Sequence, residues 1–467
     1  MIKYPQLKPL VDDWINQFLE NKELINSAFN QYGSPINIHF LEPFIQNYHE
    51  YLEVLQNHKL DHLVFYARKA NKSKCFVKSA ATQQFGVDTA SFNELNQSLE
   101  IGVPSDRLVV TAAVKTEELI QLALEHHVLI IVDNQDELAH IEMLCLKGGH
   151  TAQLGVRISG FDWNGQKLYS RFGFDITSAL AVVKEIHSNK CFDFKGFHFH
   201  LNGYSIDQRV QAILQTLDLS ELLAQDGIET EFIDIGGGLL MNYLEDEEEW
   251  IAFDDHLKKS VLHKAEPITF MNNGLGYESI DEKLHGCLKT YPYFNRNPKS
   301  VFLDGILSQM VKGEQKVSDL LRNQNIQLRM EPGRSLLDQC GITLARVISR
   351  KEDSNGDLLV GLEMNRTQLC SSSADFLLDP IYLPNSEGRK PRETSVYFTG
   401  AYCLEQDIIL KRKITLSVYP EIGDMVCFVN TAGYMMHFYE SEAHLFNLST
   451  NLVASKDHTG DFTLEED

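Results

Sequence analysis

The chain has 467 residues, a formal net charge of −23 and 43% hydrophobic residues. At roughly 100–200 residues per domain that means two or three domains, with enough apolar content for a large core. The acidic balance argues against nucleic acid or an anionic membrane as partner, because both need a basic surface.

The first 37 residues read as helical, and Pro35-Ile36-Asn37-Ile38-His39-Phe40 reads as a strand. From residue 60 to 335, eight short apolar runs alternate with segments of helical spacing: 62–67, 85–87, 107–111, 128–132, 153–158, 194–199, 231–235 and 326–330. Eight such alternations predict a (β/α)8 TIM barrel. The last connection is long and contains an acidic run, 245–249, and an aromatic, Asn-rich stretch, 270–277. It reads as an insertion at about 239–320 that packs on the barrel. After Gly333 the texture changes. Runs at 342–348, 358–362, 396–398, 414–418 and 425–430 look like strands with turn signals between them, which predicts an antiparallel β-barrel or sandwich domain. The expected organisation is therefore an N-terminal segment 1–37 packing on the β domain, a barrel at 38–334 and a β domain at 335–467.

No apolar run approaches the ~20 residues of a membrane-crossing helix, and the N-terminus lacks a signal-peptide core. Eight scattered cysteines show no Cys-x-x-Cys and no zinc spacing. The expectation is a reduced, cytoplasmic protein without a metal site.

Barrel chemistry sits at the C-terminal ends of the strands. Those ends read, in order, Lys69 after strand one, Asp88 after strand two, Arg157 at strand five, His200 at strand six, Gly236-Gly237-Gly238 after strand seven, and Glu331-Pro332-Gly333-Arg334 after strand eight. Three glycines let backbone amides approach an anion, and Arg334 adds a fixed charge. A lysine that can become a free amine by desolvation, a flat histidine, a carboxylate and a phosphate cradle together describe a site for pyridoxal 5′-phosphate.

At this point the motifs resemble a known family. Over roughly residues 35–450 their order is similar to that of the fold-type III pyridoxal-phosphate-dependent decarboxylases, the group of eukaryotic ornithine decarboxylase and bacterial diaminopimelate decarboxylase. The chain resembles a divergent bacterial-type member, with the alanine racemase-like barrel-plus-β fold. The segments that carry the resemblance are Tyr66-Ala67-Arg68-Lys69-Ala70-Asn71, Gly86-Val87-Asp88 through Ser91 with Glu94-Leu95, and Gly196-Phe197-His198-Phe199-His200. Further along come Asp234-Ile235-Gly236-Gly237-Gly238, Glu331-Pro332-Gly333-Arg334, Gly400-Ala401-Tyr402-Cys403, and Gly423-Asp424 with Ala432-Gly433-Tyr434.

The resemblance implies a role for each. Lys69 is the Schiff-base lysine and His200 stacks on the cofactor ring. Glu331 meets the pyridine nitrogen. Asp88, Arg157, Gly237, Gly238, Gly333, Arg334 and Tyr434 complete the cofactor site. Cys403, a thiol with an ordinary pKa near ~8.5, is the proton donor, supplied from the partner subunit of a homodimer.

Three departures stand out. The segment after His200 reads Leu201-Asn202-Gly203-Tyr204-Ser205 rather than continuing Gly-Ser, so a phosphate-binding hydroxyl is missing or comes from Ser205 or Tyr204. After Cys403 the acidic position is Leu404, with Glu405 next along. Arg366 falls where diamine-forming members carry an acid, which suggests a substrate with an anionic or hydrogen-bond-accepting distal group; an ordinary surface arginine is the competing reading. Two other functions compete with a decarboxylase: an amino-acid racemase of the same fold, and a non-catalytic decarboxylase-like regulator. Glu331 and Cys403 disfavour the first, and the retained Lys69, His200, Arg334 and Tyr434 disfavour the second.

Overall fold

The computed structural model describes residues 4–371 and 376–467 and divides the chain into two compact units. One comprises 45–240 and 297–336, the other 4–44, 241–296 and 337–467 without the undescribed stretch.

The first unit is the predicted barrel. Its strands are His62–Ala67, Gly86–Thr89, Leu108–Val110, Leu129–Val132, Ala152–Ser159, Phe192–His198, Phe232–Asp234 and Gln327–Met330. Each pairs in parallel with the next, and the eighth returns to the first, so the sheet closes. The strands are buried almost throughout, because helices cover the outside and side chains fill the inside. Leu63, Phe65, Val109, Leu129, Ile131 and Phe232 form the inner apolar core. Residues two apart on a strand share a face, so ascending a strand from this core leads to the next inward layer. On strand seven that step goes from Phe232 to Asp234. On strand eight it goes from Arg329, whose guanidinium lies 3.9 Å from the Phe232 ring centroid, to Glu331. The layer above the apolar core is thus polar and lies toward the strand C-termini.

Helix starts are written locally. Ser91, Thr116, Asn134, Asp175 and Ser205 each accept a backbone N–H of the helix that follows, removing one of its orphan donors. Among the described residues no helix is long and apolar enough to cross a membrane.

The second unit is built on a nine-stranded, mostly antiparallel sheet. The strand predicted near residue 36 is Ile36–His39; it pairs antiparallel with Gly341–Glu352 and parallel with Thr450–Lys456. Two cores flank the sheet. One gathers the N-terminal helices through Trp14, Phe18 and Phe29. The other contains Tyr243, Phe253, Leu257, Tyr291 and Tyr293 beside Val347, Phe398 and Phe428. The insertion expected at about 239–320 on the barrel is therefore divided. Residues 241–296 supply buried aromatics to the β unit, while 297–336 carry the last barrel helices and strand. Three strands of this nine-stranded sheet were not expected: Ile381–Leu383, Thr450–Lys456 and Phe462–Glu466.

Candidate active site

All eight barrel strands deliver polar side chains to one end of the barrel unit. Lys69 follows strand one on a short 3-10 turn, Arg68–Ala70. Its Nζ lies 2.7 Å from Asp88 Oδ2 and 3.9 Å from Glu331 Oε2. Asp88 is fully buried, and its other oxygen accepts a 2.5 Å hydrogen bond from Thr111 Oγ1. Burial and the Glu331 charge push the Asp88 carboxyl above its ordinary range, against the opposing pull of Lys69.

Glu331 behaves oppositely. Burial alone would raise it, but the charges of His198, Lys69 and Arg157 outweigh burial and hold it at about 2. His198 Nε2 lies 3.1 Å from Glu331 Oε1, close enough for an ion pair but not aligned as a hydrogen bond. Both side chains are nearly inaccessible, and Glu331 Oε1 and both His198 nitrogens lack hydrogen-bond partners. Buried polar atoms left this way point to a group that completes them. Asp234 joins the pair: its donor oxygen and those of His198 and Glu331 lie within 4.8 Å of one another, a set compact enough to hold a metal ion, which the sequence reading did not foresee. Burial and the Glu331 charge push Asp234 well up.

His200 is neutral in this setting. Burial and the Lys69 charge lower its pKa to about 3. Its Nδ1 accepts the Gly237 N–H at 3.3 Å, which places the ring hydrogen on Nε2. A neutral, clamped imidazole presents a flat face suited to stacking on an aromatic ring.

The glycine turn is fixed by contact. Gly236 and Gly238 have φ of 66° and 73°, where side chains are strained. A Cβ on Gly237 would stand 2.6 Å from the Glu331 carbonyl oxygen. The turn is pinned by the Gly236 N–H donating to Asp234 Oδ1 at 2.8 Å and by the Glu331 N–H donating to the Gly236 carbonyl at 3.0 Å. Gly333 is buried and Arg334 half-buried on the segment that follows. Arg157 lies 3.6 Å from Asp133 and 4.3 Å over the Phe172 ring, which Arg171 covers at 4.0 Å. A buried pair, Lys115 with Glu137 at 2.8 Å, supports the Asp133 turn: Glu137 also accepts the Asp133 N–H at 3.2 Å. A cavity of about 290 Å³ opens beside His200, lined in part by Phe161, Leu168, Leu201, Asn202 and Gln208.

The structure thus brings Lys69, Asp88, Arg157, His200, Gly237, Gly238, Glu331, Gly333 and Arg334 to the C-terminal end of one barrel. Arg366, Cys403, Glu405 and Tyr434 belong to the β unit. There the Arg366 N–H donates to Asp407 Oδ1 at 2.8 Å and its Nη1 to the Gln406 carbonyl at 3.0 Å, tying it to the loop of Cys403 and Glu405. Cys403 and Glu405 are exposed; Tyr434 is half-buried with φ of 71°. Three participants escaped the sequence reading: Thr111, Asp133 and His198. His198 carried a usable signal, since it lies two residues before His200 on the same strand.

The donor set fits pyridoxal phosphate: an amine, a carboxylate held ionised, a neutral flat ring, and a turn where only glycine fits. Residues 41–268 match the pyridoxal-binding domain of the pyridoxal-dependent decarboxylases. The chain carries the pyridoxal-binding domain of the fold-type III pyridoxal-dependent decarboxylases, carboxy-lyases that use this cofactor, in divergent form.

Among its relatives is the uncharacterized protein y4yA of Sinorhizobium fredii, 28% identical over 434 residues, covering 92% of this chain and 90% of that one. The L-glutamyl-[BtrI acyl-carrier protein] decarboxylase of Niallia circulans is 23% identical over 387 residues, covering 79% and 77%. The solved diaminopimelate decarboxylase of M. jannaschii in complex with L-lysine superposes with a TM-score of 0.70 at 18% identity, over 100% and 96% of the two chains, which is a likeness of fold.

Proposed function

We propose that the protein removes the α-carboxylate of an amino-acid-derived substrate whose distal end is not a free ammonium, and that it does so as a homodimer. The observation that supports this most is the grouping of Lys69 with Asp88, Glu331 and His200 against the triple-glycine turn. Lys69 would hold the cofactor through its amine, and Asp88 beside it would take or return the proton on Nζ. Glu331, ionised above about pH 2, would keep a proton on the cofactor's ring nitrogen. His200 would back the ring, the end of the glycine turn and Arg334 would take the phosphate, and Arg157 would fix the rim. Bound there, pyridoxal phosphate supplies an electron sink for the pair released when carbon dioxide leaves.

Cys403 delivers the replacement proton from Sγ to the α-carbon and is reprotonated by solvent. Its loop is exposed beside apolar neighbours of the same unit. Leu404 is 59% exposed, Phe438 46% and Leu445 94%, and Tyr402 packs its ring 5.8 Å from Phe446. An exposed apolar surface around a functional thiol is what a second copy of the chain would cover. Cys403→Ala is expected to keep cofactor binding and lose on the order of 10²-fold in product formation. Mixed one to one with Lys69→Ala, it should regain about a quarter of wild-type activity, since half the dimers are mixed and each of those has one intact site of two. No regain would show that the cysteine and lysine act within one chain.

The substrate reading rests on Arg366, in the place of an acid and tied through Gln406 and Asp407 to the loop that carries Glu405. A relative that acts on a glutamyl group borne by a carrier protein is consistent with it. Carbon-dioxide release is to be measured over diaminopimelate, lysine, ornithine, glutamate and glutamyl thioesters. Carboxylate-bearing or acyl-linked substrates should lead, with Arg366→Ala costing them ~10-fold in kcat/KM. Equal turnover of ornithine and lysine, untouched by Arg366→Ala, would remove the reading.

A further inference from the structure

Arg209 is among the most completely buried side chains of the molecule, at 1% exposure. It sits in the first turn of the helix Ile206–Gln225, among Val210, Ile213 and Leu214, where an apolar residue would pack. Among the described residues no carboxylate pairs with its guanidinium. Its contacts are a 2.9 Å hydrogen bond from Nη2 to the Gly238 carbonyl and the Phe302 ring, 5.3 Å from the guanidinium carbon. Tyr204 is the one group that favours its charge. Burial lowers its pKa to about 10, which leaves it cationic at neutral pH. An arginine taken out of water without an anion is unfavourable, and buried charges are almost always compensated. An anion bound behind the glycine turn would compensate it.

Its position says what that is. Gly238 is the last of the three glycines, and a Cβ there would stand 2.7 Å from Arg209 Nη2. The guanidinium therefore bears directly on the turn and fixes the orientation of its last peptide. Ser205 Oγ, one of the two hydroxyls the sequence left open, accepts the Gln208 N–H at 3.2 Å as the cap of the same helix, which places the start of that helix beside the turn.

We infer that Arg209 is a positioning residue for the cofactor phosphate, holding the Gly238 carbonyl back from the anion at the end of the turn, where the amide is not taken by Asp234 or His200, and adding a buried positive charge behind it. The inference rests on the glycine turn being the phosphate cradle.

The test compares pyridoxal 5′-phosphate with pyridoxal, which lacks the phosphate. Full-length protein stripped of cofactor is titrated with each, following quenching of its tyrosine and tryptophan fluorescence, and the ratio of the two dissociation constants is the readout. Arg209→Met should weaken pyridoxal phosphate on the order of 10- to 100-fold, as expected for hydrogen bonds to a charged group, and leave pyridoxal unchanged. Arg209→Lys keeps a charge but gives up the planar fork; it should lose a smaller part of the ratio and covers the case in which the methionine variant fails to fold. An unchanged ratio in both variants overturns the inference, as does equal weakening of the two ligands, which would mark a packing role. A wild-type ratio near one would instead sink the cradle reading itself.

Discussion

Lys69→Ala is expected to abolish the covalent carbon–nitrogen link to pyridoxal phosphate and to lower kcat by on the order of 10³-fold or more. The site explains why the lysine is so placed. Its Nζ is 2.7 Å from Asp88 and 3.9 Å from Glu331, two buried carboxylates that differ in proton affinity. Glu331 is held at about 2 and keeps its charge; Asp88 is raised by burial and by that same charge. Raising Asp88 narrows the gap to the ammonium, so Nζ can lose its proton to Oδ2 at lower cost than to an exposed aspartate. Borohydride treatment of the wild-type holoenzyme, followed by peptide mass analysis, should find the pyridoxyl adduct on the peptide containing Lys69. Lys69→Arg keeps the cation near both carboxylates but cannot form the link. It should be as inactive as the alanine variant while retaining more of the noncovalent cofactor affinity. An adduct on any other lysine would overturn the assignment.

The barrel was legible because each strand carries its own evidence: a short apolar run, a helix-capping residue, then a helical period. The ends of those strands are also local text, so Lys69, His200, the three glycines and Glu331 fall into one ring from their places along the chain. What escaped depends on contacts that the order of residues does not encode. His198 meets Glu331 across an intervening strand, and only the closed register brings strands six and eight within ion-pair distance. Arg209 reads as an ordinary solvated helix residue, because polarity in a helix is normally a mark of the outer face. Asp133 and Phe172 steady Arg157 from different loops. The insertion was assigned to the barrel by its place in the chain, yet Tyr243, Phe253 and Tyr293 are buried with residues beyond 345. Arg366 showed a reversed charge in the sequence, but not that its guanidinium reaches the Gln406 carbonyl. The strands Thr450–Lys456 and Phe462–Glu466 alternate around polar residues such as Asn451, Ser455 and Thr463, which blurs an apolar period.

Glu331→Gln separates holding the cofactor from activating it. The amide matches the carboxylate in size, so the glycine turn, His200 and Lys69 are expected to keep their places and the covalent link to form. The charge is lost, and with it the means of keeping a proton on the ring nitrogen. Preorganised charges of this kind are worth on the order of 10²–10³-fold in kcat when removed, and a loss of that size is expected here with little change in cofactor affinity. The pH profile offers a check. A group ionised above about pH 2 does not titrate in the working range, so the acid limb of kcat should have the same midpoint in wild type and in Glu331→Asp. The nitrogen-15 shift of labelled cofactor reads the proton directly, and in Glu331→Gln it should move to the unprotonated value. His198→Asn removes a neighbour that stabilises the Glu331 charge while leaving the carboxylate, so its effect should be smaller and of the same sign. If Glu331→Gln leaves both kcat and the nitrogen shift unchanged, the ring nitrogen does not face Glu331. Asp234, which belongs to the same buried layer and is already pushed well up, would then be the carboxyl to test in its place.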